Sequence, residues 1–270
     1  MKTLLKKILH KLKQQYKVEK KHGWFGNYLT WQQAEKACTG YDNPAILNKV
    51  KSAVLKVKNG EAAYERDSVV FDKLEYSELL LQAFKTIAKE NNESLSVLDF
   101  GGSLGSTYFQ YKKLLTDVKK VNWCVVEQAH FVECGKAFIE EDNLKFYHSI
   151  DEVLQINKVN CFYFSSVMQY FEKPYELLDK IIAYNFEYII IDRTAFIENE
   201  NDRITLQIVP EFIYKASYPA WFFNEKKFVD LITKKYKIID SFMSEFSTTL
   251  LLEDNNKIYW KGFISKRSNE

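Results

Sequence analysis

A short glycine-containing segment is the part of this chain best suited to holding a ligand. It reads VLDFGGSLGS over residues 97–106, where an apolar run gives way to a helical pattern. Glycine lets the backbone bend tightly and approach a ligand, and the first free N–H groups of a helix attract a carboxylate. We therefore predict cofactor contacts from this turn, at Asp99, Gly101, Gly102, Ser103 and Gly105.

A carboxylate follows at the end of the next apolar run, in the string WCVVE that ends at Glu127. Such an acid can accept hydrogen bonds from both hydroxyls of a ribose. Glu127 lies 22 residues after Gly105, about the separation that one helix and one strand require. The alternative is an ordinary surface acid at a strand end. We predict Glu127 as the ribose ligand, with further cofactor contacts at Gln128, His148 and Ser149, and with His148 beside the base.

The glycine spacing distinguishes two cofactor classes. A dinucleotide fingerprint G-x-G-x-x-G would need glycine at positions 103 and 106, and both are serine. The segment instead resembles the motif of class I methyltransferases that use S-adenosylmethionine (SAM). Asp99, Gly101 and Gly105 are in register with that motif, and Ser103 stands at its middle glycine. The resemblance implies SAM as the cofactor.

Polar residues follow two later strands, and ligands of open α/β sheets bind outside the carboxyl ends of the strands. We predict cofactor contacts at Ser165 and Ser166 and a substrate contact at Gln169. The segment 194–223 is predicted to be a substrate loop, because long loops at this edge are often functional. It carries Arg203, Gln207, Tyr214, Tyr218 and Trp221, for which local packing of the aromatic side chains is the alternative.

Methyl transfer from a sulfonium depends mainly on alignment, but an oxygen acceptor usually also needs a base. We predict Asp67 or Asp192 as that base, and an adjoining arginine, Arg66 or Arg193, as a ligand for an anionic group on the substrate. Arg66 and Asp67 belong to the string YERDS at 64–68. This string is either a solvated helix face or part of a cap folded over the site.

The elements that position these residues alternate between strand and helix from Leu95 onward. Strands are predicted at 95–100, 122–127, 144–149, 160–165 and 187–192, and helices at 105–116, 129–141, 151–155 and 174–184. This alternation is typical of a parallel sheet with right-handed crossovers.

The C-terminal end departs from this alternation. After a helix at 225–234, two strands at 236–243 and 258–266 are separated by a stretch too short for a crossover helix. These strands should therefore pair antiparallel. The predicted fold is α/β: a Rossmann-like, mostly parallel seven-stranded sheet ending in an antiparallel hairpin, which is the ground plan of class I methyltransferases.

Two segments precede this domain, which is predicted to span 93–270. Residues 23–92 are predicted to form a helical cap, with helices at 31–37, 44–58 and 77–89. Residues 1–22 carry eight lysines against Glu19, with apolar residues at helical spacing on one side. They are predicted to form a basic amphipathic helix. Through residues 1–20 this helix either contacts an anionic membrane surface or packs on its own domain.

Composition excludes several classes of protein. The net charge is only +2 and the excess of positive charge is confined to the N-terminal arm, which argues against a nucleic-acid partner. The four cysteines lack metal-ligand spacing, so no metal site is expected and the thiols are typical of a cytoplasmic protein. No run approaches the roughly 20 apolar residues of a membrane span. The expected location is cytoplasmic, with the inner face of the cytoplasmic membrane as the peripheral alternative.

Strings along almost the whole chain resemble a family of methyltransferases encoded among bacterial surface-polysaccharide biosynthesis genes. They are GWFG at 23–26, GYD at 40–42, YERDS at 64–68, the glycine segment, VEQ at 126–128, SSVMQY at 165–170, IDRT at 191–194 and SYPAW at 217–221. The resemblance implies the use of SAM in a glycan-related setting and does not supply a substrate. The leading prediction is SAM-dependent O-methylation of a sugar, a nucleotide-linked sugar or a phosphate-bearing glycan precursor. The alternatives are N-methylation of an amino sugar, a non-catalytic SAM-fold binding subunit of a glycan assembly complex, and a nicotinamide-dependent oxidoreductase.

Overall fold

A computed structural model describes residues 22–40, 44–244 and 250–268. The helix predicted within residues 1–22 lies almost entirely outside these ranges. The strands are β1 Gly23–Tyr28, β2 Tyr64–Arg66, β3 Val69–Phe71, β4 Ser94–Phe100, β5 Lys120–Val126, β6 Leu144–Tyr147, β7 Cys161–Ser165, β8 Tyr188–Ile197, β9 Arg203–Ile208, β10 Ser217–Asn224, β11 Tyr236–Met243, β12 Leu250–Leu251 and β13 Lys257–Arg267.

The helices alternate with these strands much as predicted. They are α1 Trp31–Glu35, α2 Pro44–Lys58, α3 Glu78–Glu90, α4 Ser106–Tyr111, α5 Ala129–Cys134, α6 Ile150–Ile156, α7 Pro174–Ala183 and α8 Glu225–Ile232. A π-helical turn Gly135–Ile139 extends α5, and a short 3-10 turn Met168–Tyr170 follows β7. Polar side chains begin several helices; Ser77 Oγ, for example, accepts the N–H of Leu80 at the start of α3.

The core of the sheet runs in the order β6-β5-β4-β7-β8-β13-β11. The first five of these strands are parallel to one another, and β13 is antiparallel to both of its neighbours, β8 and β11. This is the strand order of class I methyltransferases, with their antiparallel last strand. The predicted fold is confirmed.

Successive side chains of a buried strand point to opposite faces of the sheet, so the core is divided into two layers, one on each face. Val97 and Trp123 face the layer formed by α2, α3, α4 and α5. Leu98 and Cys124 face the layer formed by α6, α7 and α8. A three-layer α/β/α arrangement results, with the carboxyl ends of the parallel strands at one edge. No helix in the described ranges is long and apolar enough to cross a membrane.

The prediction that residues 194–223 form a loop is wrong. Strand β8 continues to Ile197, and β9 and β10 form an antiparallel hairpin that pairs on its other side with β1. In the described ranges the main sheet therefore has 11 strands rather than seven. The segment is rich in branched and aromatic residues, which favour strand structure.

The predicted cap at 23–92 is only partly helical. Residues 23–28 form β1 within the main sheet, so this region is continuous with the domain that follows. The YERDS string forms a two-stranded hairpin, β2 and β3, instead of a helix face. Asp67 and Ser68 both have positive φ, 50° and 67°, as tight two-residue hairpin turns require. The Tyr64 and Phe71 rings stack across the pair at 4.7 Å.

Candidate cofactor and acceptor site

The glycine turn joins the end of β4 to α4 in a left-handed conformation. Gly101, Ser103 and Gly105 have φ of 70°, 54° and 83°. The Gly101 N–H donates to the Val126 carbonyl at 2.9 Å, which ties the turn to the end of β5. Ser103 adopts the conformation that glycine favours, at a cost of roughly 1 to 2 kcal/mol. Replacing the middle glycine of the motif by serine is therefore compatible with this turn.

Two of the glycines are required by close contacts. A Cβ on Gly101 would lie 2.6 Å from Val167 Cγ2, and a Cβ on Gly102 would lie 2.5 Å from Asp99 Cγ. Both distances are shorter than van der Waals contact. The turn thus has room only for backbone at these positions, and that backbone lies at the carboxyl edge of the sheet.

Asp99 lies beneath the turn rather than on its outer surface. Its side chain is only 1% exposed, and its Oδ2 accepts a hydrogen bond from the Trp123 indole N–H at 2.9 Å. Burial raises the pKa of Asp99 to about 7. The position indicates that Asp99 supports the turn from below.

Glu127 reaches back from the end of β5 to the glycine turn. Its Oε1 accepts the Ser103 N–H at 3.2 Å, and its Oε2 accepts the Gln128 N–H at 2.7 Å. An ionised carboxylate has about four lone-pair positions, so each oxygen retains one for a further donor. Burial raises the pKa of Glu127. The geometry fits a ligand with two adjacent hydroxyls, as the sequence predicts.

The other predicted cofactor residues lie along the same edge. Gln128 is exposed just before α5, and His148 is exposed with its Nε2 3.3 Å from Glu133. Ser149 caps α6, its Oγ accepting the N–H of Glu152 at 3.2 Å. These positions adjoin Glu127 on β5 and β6, but their contacts with a cofactor remain predictions.

The β2–β3 hairpin is attached to the glycine turn by Glu65. This carboxyl is 4% exposed, accepts the Ser106 hydroxyl at the start of α4, and accepts the Ser68 N–H at 3.1 Å. Burial raises the pKa of Glu65 to about 7. The hairpin therefore lies on the same edge of the sheet as the turn, where the cap hypothesis requires it. Glu65 was predicted at the site as part of the cluster 65–68, but its contact with Ser106, which is distant in sequence, was not predicted.

Arg66 extends from the hairpin toward Asp192 and Arg193 in the middle of β8. Arg66, Asp192 and Arg193 line one cavity of about 20 Å³, large enough for a water molecule. Its other walls include Thr107 and Gln110 of α4, two residues that sequence patterns do not distinguish from ordinary helix positions. The structure thus brings together three of the four predicted catalytic residues. The fourth, Asp67, is exposed at the tip of the hairpin.

Ser165 links Asp192 to Arg193. Its Oγ donates to Asp192 Oδ2 at 2.9 Å and accepts from Arg193 Nε at 2.8 Å. Ser166 has a left-handed φ of 57° and donates its N–H to the Asp192 carbonyl at 3.0 Å. The end of β7 is therefore joined to the middle of β8 by side-chain and backbone hydrogen bonds.

A wall of tyrosine and glutamine side chains continues the site toward the β9–β10 hairpin. The Tyr170 hydroxyl donates to Gln207 Oε1 at 3.0 Å, and the Tyr170 ring meets Tyr218 edge to face at 5.1 Å. Gln169, 2% exposed, donates from Nε2 to Ser166 Oγ at 3.0 Å. Burial, followed by the charge of Asp67, raises the pKa of Tyr170 and also that of Tyr214. Asp67 is therefore close to this wall.

Trp221 and Arg203, both in the segment 194–223 predicted to bind substrate, form contacts that stabilise the fold. The Trp221 indole donates to the Phe171 carbonyl at 3.0 Å and stacks on Trp31 with ring centroids 6.3 Å apart. Arg203 donates to the Gly26 carbonyl at 2.8 and 2.9 Å and to Asp254. Arg203 thus holds β1 against β9 and is not a substrate ligand. In the described ranges, no cluster of three His, Cys, Asp or Glu residues is placed to bind a metal ion.

No protein-family model matches the sequence, and no curated protein matches it. Among solved structures, the chain is similar to the N-terminal domain of EvdMO1 in the presence of S-adenosylhomocysteine (SAH) and D-fucose. The identity is 9% and the TM-score 0.47, over 82% of this chain and 97% of that one. It is also similar to an S-adenosylmethionine-dependent methyltransferase from Clostridium acetobutylicum, with 11% identity and a TM-score of 0.43 over 70% and 92% of the two chains.

A third similar structure is Burkholderia thailandensis 1,6-didemethyltoxoflavin-N1-methyltransferase with bound 1,6-didemethyltoxoflavin and S-adenosylhomocysteine. Its identity is 11% and its TM-score 0.44, over 86% of this chain and 95% of that one. The strand order and the antiparallel last strand, rather than these low similarities, define the fold of the protein.

Proposed function

We propose that the protein is a SAM-dependent methyltransferase that methylates an oxygen of a sugar, a nucleotide-linked sugar or a phosphate-bearing glycan precursor. One observation carries the assignment of SAM as the cofactor. The glycine turn after β4 and the carboxylate after β5 are neighbours at the carboxyl edge of a class I sheet, and Glu127 accepts the N–H of Ser103. This pairing provides one group for a ribose and one backbone surface for the remainder of the cofactor.

The residues at this edge fit SAM. Glu127 retains acceptor positions for both ribose hydroxyls, and Gly101 and Gly102 leave no side chain between the backbone and the ligand. Gln128, His148 and Ser149 would lie beside the base, and Ser165 and Ser166 beside the reacting end. The cofactor supplies a methyl group on a sulfonium, with the thioether as leaving group.

The chain's own residues would align the acceptor and take up its proton. Methylation of an acceptor hydroxyl would release its proton, which the protein must take up. The hydroxyl proton goes to Ser165 Oγ, which passes its own proton to Asp192 Oδ2 through the existing 2.9 Å hydrogen bond. Asp67 is the alternative base. Gln169, Gln207, Tyr214 and Tyr218 would bind the sugar hydroxyls.

Calorimetric titration tests the cofactor assignment. We expect the full-length protein to bind SAH and not to bind NAD under the same conditions. Binding of NAD and not of SAH would overturn the proposal in favour of an oxidoreductase. Binding of neither would leave the fold without its proposed cofactor, and would likewise overturn the proposal.

A second experiment identifies the acceptor. Nucleotide sugars and phosphorylated glycan precursors are incubated with SAM and the protein, and products heavier by one methylene unit are sought by mass spectrometry. Methylation at oxygen supports the proposal, and methylation at the nitrogen of an amino sugar replaces it. A protein that binds SAH but methylates none of these compounds would support a non-catalytic binding subunit instead.

A further inference from the structure

Arginine is rare in this chain, and its few positions are informative. The chain has 38 lysine and arginine residues, of which only four are arginines, at 66, 193, 203 and 267. Arg203 donates to the Gly26 carbonyl and Asp254, and Arg267 donates to the Asn185 carbonyl at 2.6 Å. Both of these arginines therefore have partners within the fold. Arg66 and Arg193 also have contacts within the fold, and both line the cavity beside Asp192.

The guanidinium of Arg193 forms its hydrogen bond within the fold through Nε. Its backbone φ is 48°, and its Nε donates to Ser165 Oγ at 2.8 Å while lying 3.6 Å from Asp192 Oδ2. Among residues 22–40, 44–244 and 250–268, no acceptor forms a hydrogen bond with its two terminal nitrogens. The side chain is 24% exposed, so a ligand can reach it. A guanidinium held in this way presents two parallel donors that match a carboxylate or a phosphate.

Arg66 approaches the same place from the hairpin. Burial, and after it the positive charge of Arg193, lowers the pKa of Arg66. The carboxylates of Asp192 and Asp67 act on Arg66 in the opposite direction, each with a smaller effect than Arg193. Against the effect of burial, the carboxylate of Asp192 raises the pKa of Arg193, so Arg193 stays charged. An anion bound beside the two guanidinium groups would offset the positive charge of Arg193 that acts on Arg66.

The position in the sheet indicates which ligand carries the anion. The glycine turn and Glu127 follow β4 and β5, and β7, which ends at Ser165, separates them from β8, which supplies Arg193. The 3-10 turn that carries Tyr170 packs against β8, the strand of Arg193, and the charge of Asp67 acts on both Arg193 and Tyr170. The pair therefore lies on the acceptor side of the site.

We propose that Arg66 and Arg193 form a binding site for an anionic group, a carboxylate or a phosphate, on the methyl acceptor. This inference rests on the proposed function, since it assigns the acceptor of that reaction to the class of acidic or phosphorylated sugars. The same donors would also suit the carboxylate of the cofactor's amino-acid portion, so the experiment separates the two sources.

Inorganic phosphate and acetate serve as probes, titrated into the full-length protein saturated with SAH, with chloride keeping the ionic strength constant. We expect at least one of the two anions to bind and to raise the melting temperature. Arg193→Gln and Arg66→Gln should each weaken this binding at least tenfold and leave SAH affinity within twofold. Arg267→Gln removes an arginine whose guanidinium is engaged at Asn185, and should change neither affinity.

The outcomes separate the possibilities. Equal anion affinity in the wild type and all three variants, or no anion binding by the wild type, would overturn the proposal. A tenfold loss of SAH affinity in Arg193→Gln, with anions bound only when SAH is absent, would assign the pair to the cofactor carboxylate and leave the proposed function standing. A wild-type protein that binds anions but not SAH would remove the proposed function and, with it, the acceptor assignment. Arg66→Gln, on a surface hairpin, keeps the test valid if Arg193→Gln does not fold.

Discussion

Gly101→Ala should destabilise the protein for two reasons that can be separated. The backbone φ of 70° costs a non-glycine residue about 1 to 2 kcal/mol. The added Cβ would also lie 2.6 Å from Val167 Cγ2 and 3.0 Å from Cγ1, and overpacking of this kind costs about 1 to 3 kcal/mol. We therefore expect the free energy of unfolding to fall by about 2 to 5 kcal/mol.

Gly60→Ala is the matched control. Gly60 has a similar φ of 81°, but nothing lies within 4 Å of the Cβ that alanine would add. Only the backbone cost of about 1 to 2 kcal/mol should appear there. Urea unfolding followed by circular dichroism measures both variants. Gly101→Ala should also weaken SAH binding, and Gly60→Ala should not, because only Gly101 belongs to the glycine turn.

A double variant isolates the contact with Val167. Val167→Ala removes both methyl groups that the new Cβ would meet, so it should recover on the order of 1 kcal/mol or more in the Gly101→Ala background. The interpretation is wrong if Gly101→Ala costs no more than Gly60→Ala. It is also wrong if the effects of Gly101→Ala and Val167→Ala are simply additive.

Four further predictions concern the site and the N-terminal arm. Glu127→Ala should weaken SAH binding by about 1 to 3 kcal/mol, because hydrogen bonds to a charged group are lost; unchanged affinity by calorimetry would remove the ribose assignment. Arg66→Ala or Asp67→Ala should lower turnover about 100-fold or more while the melting temperature stays nearly constant, and a matching loss of stability would indicate a structural role instead. Burial raises the pKa of Glu65 from its usual value of 4.5 to about 7, so the folded state holds its proton more tightly than the unfolded chain. The resulting stabilisation is complete below about pH 4.5 and is lost as the pH rises through about 7. The free energy of unfolding should fall there by no more than about 1.4 kcal/mol per pH unit. Glu65→Gln should flatten this part of the profile of stability against pH, and an unaltered profile would contradict the pKa assigned to Glu65. Removal of residues 1–20 should abolish sedimentation with anionic liposomes at low salt without changing SAH affinity, whereas a full-length protein that ignores such liposomes would indicate that the arm packs on its own domain.

The alternating strands and helices could be predicted because local patterns determine them. Apolar runs such as 95–100 and 160–165 are short enough for strands, and the polar residue Ser77 begins its helix through a contact three residues away. The glycine turn and Glu127 could be predicted for the same reason, since a turn and the strand after it are fixed by spacing along the chain. The antiparallel end of the sheet also followed from spacing, because no crossover helix fits before β13.

What the tertiary structure alone decided depends on partners that are distant in the sequence. The YERDS string forms a hairpin at the site because Glu65 meets Ser106, and Arg66 lines one cavity with Arg193 only after β8 is in place. Arg203 lies in the segment predicted to bind substrate, yet its hydrogen-bond acceptors are the Gly26 carbonyl and Asp254. It therefore stabilises the pairing of β1 with β9 in the main sheet. A side chain's type and neighbours in sequence specify what it can bond to, whereas its actual partner is specified by strand pairing between distant segments.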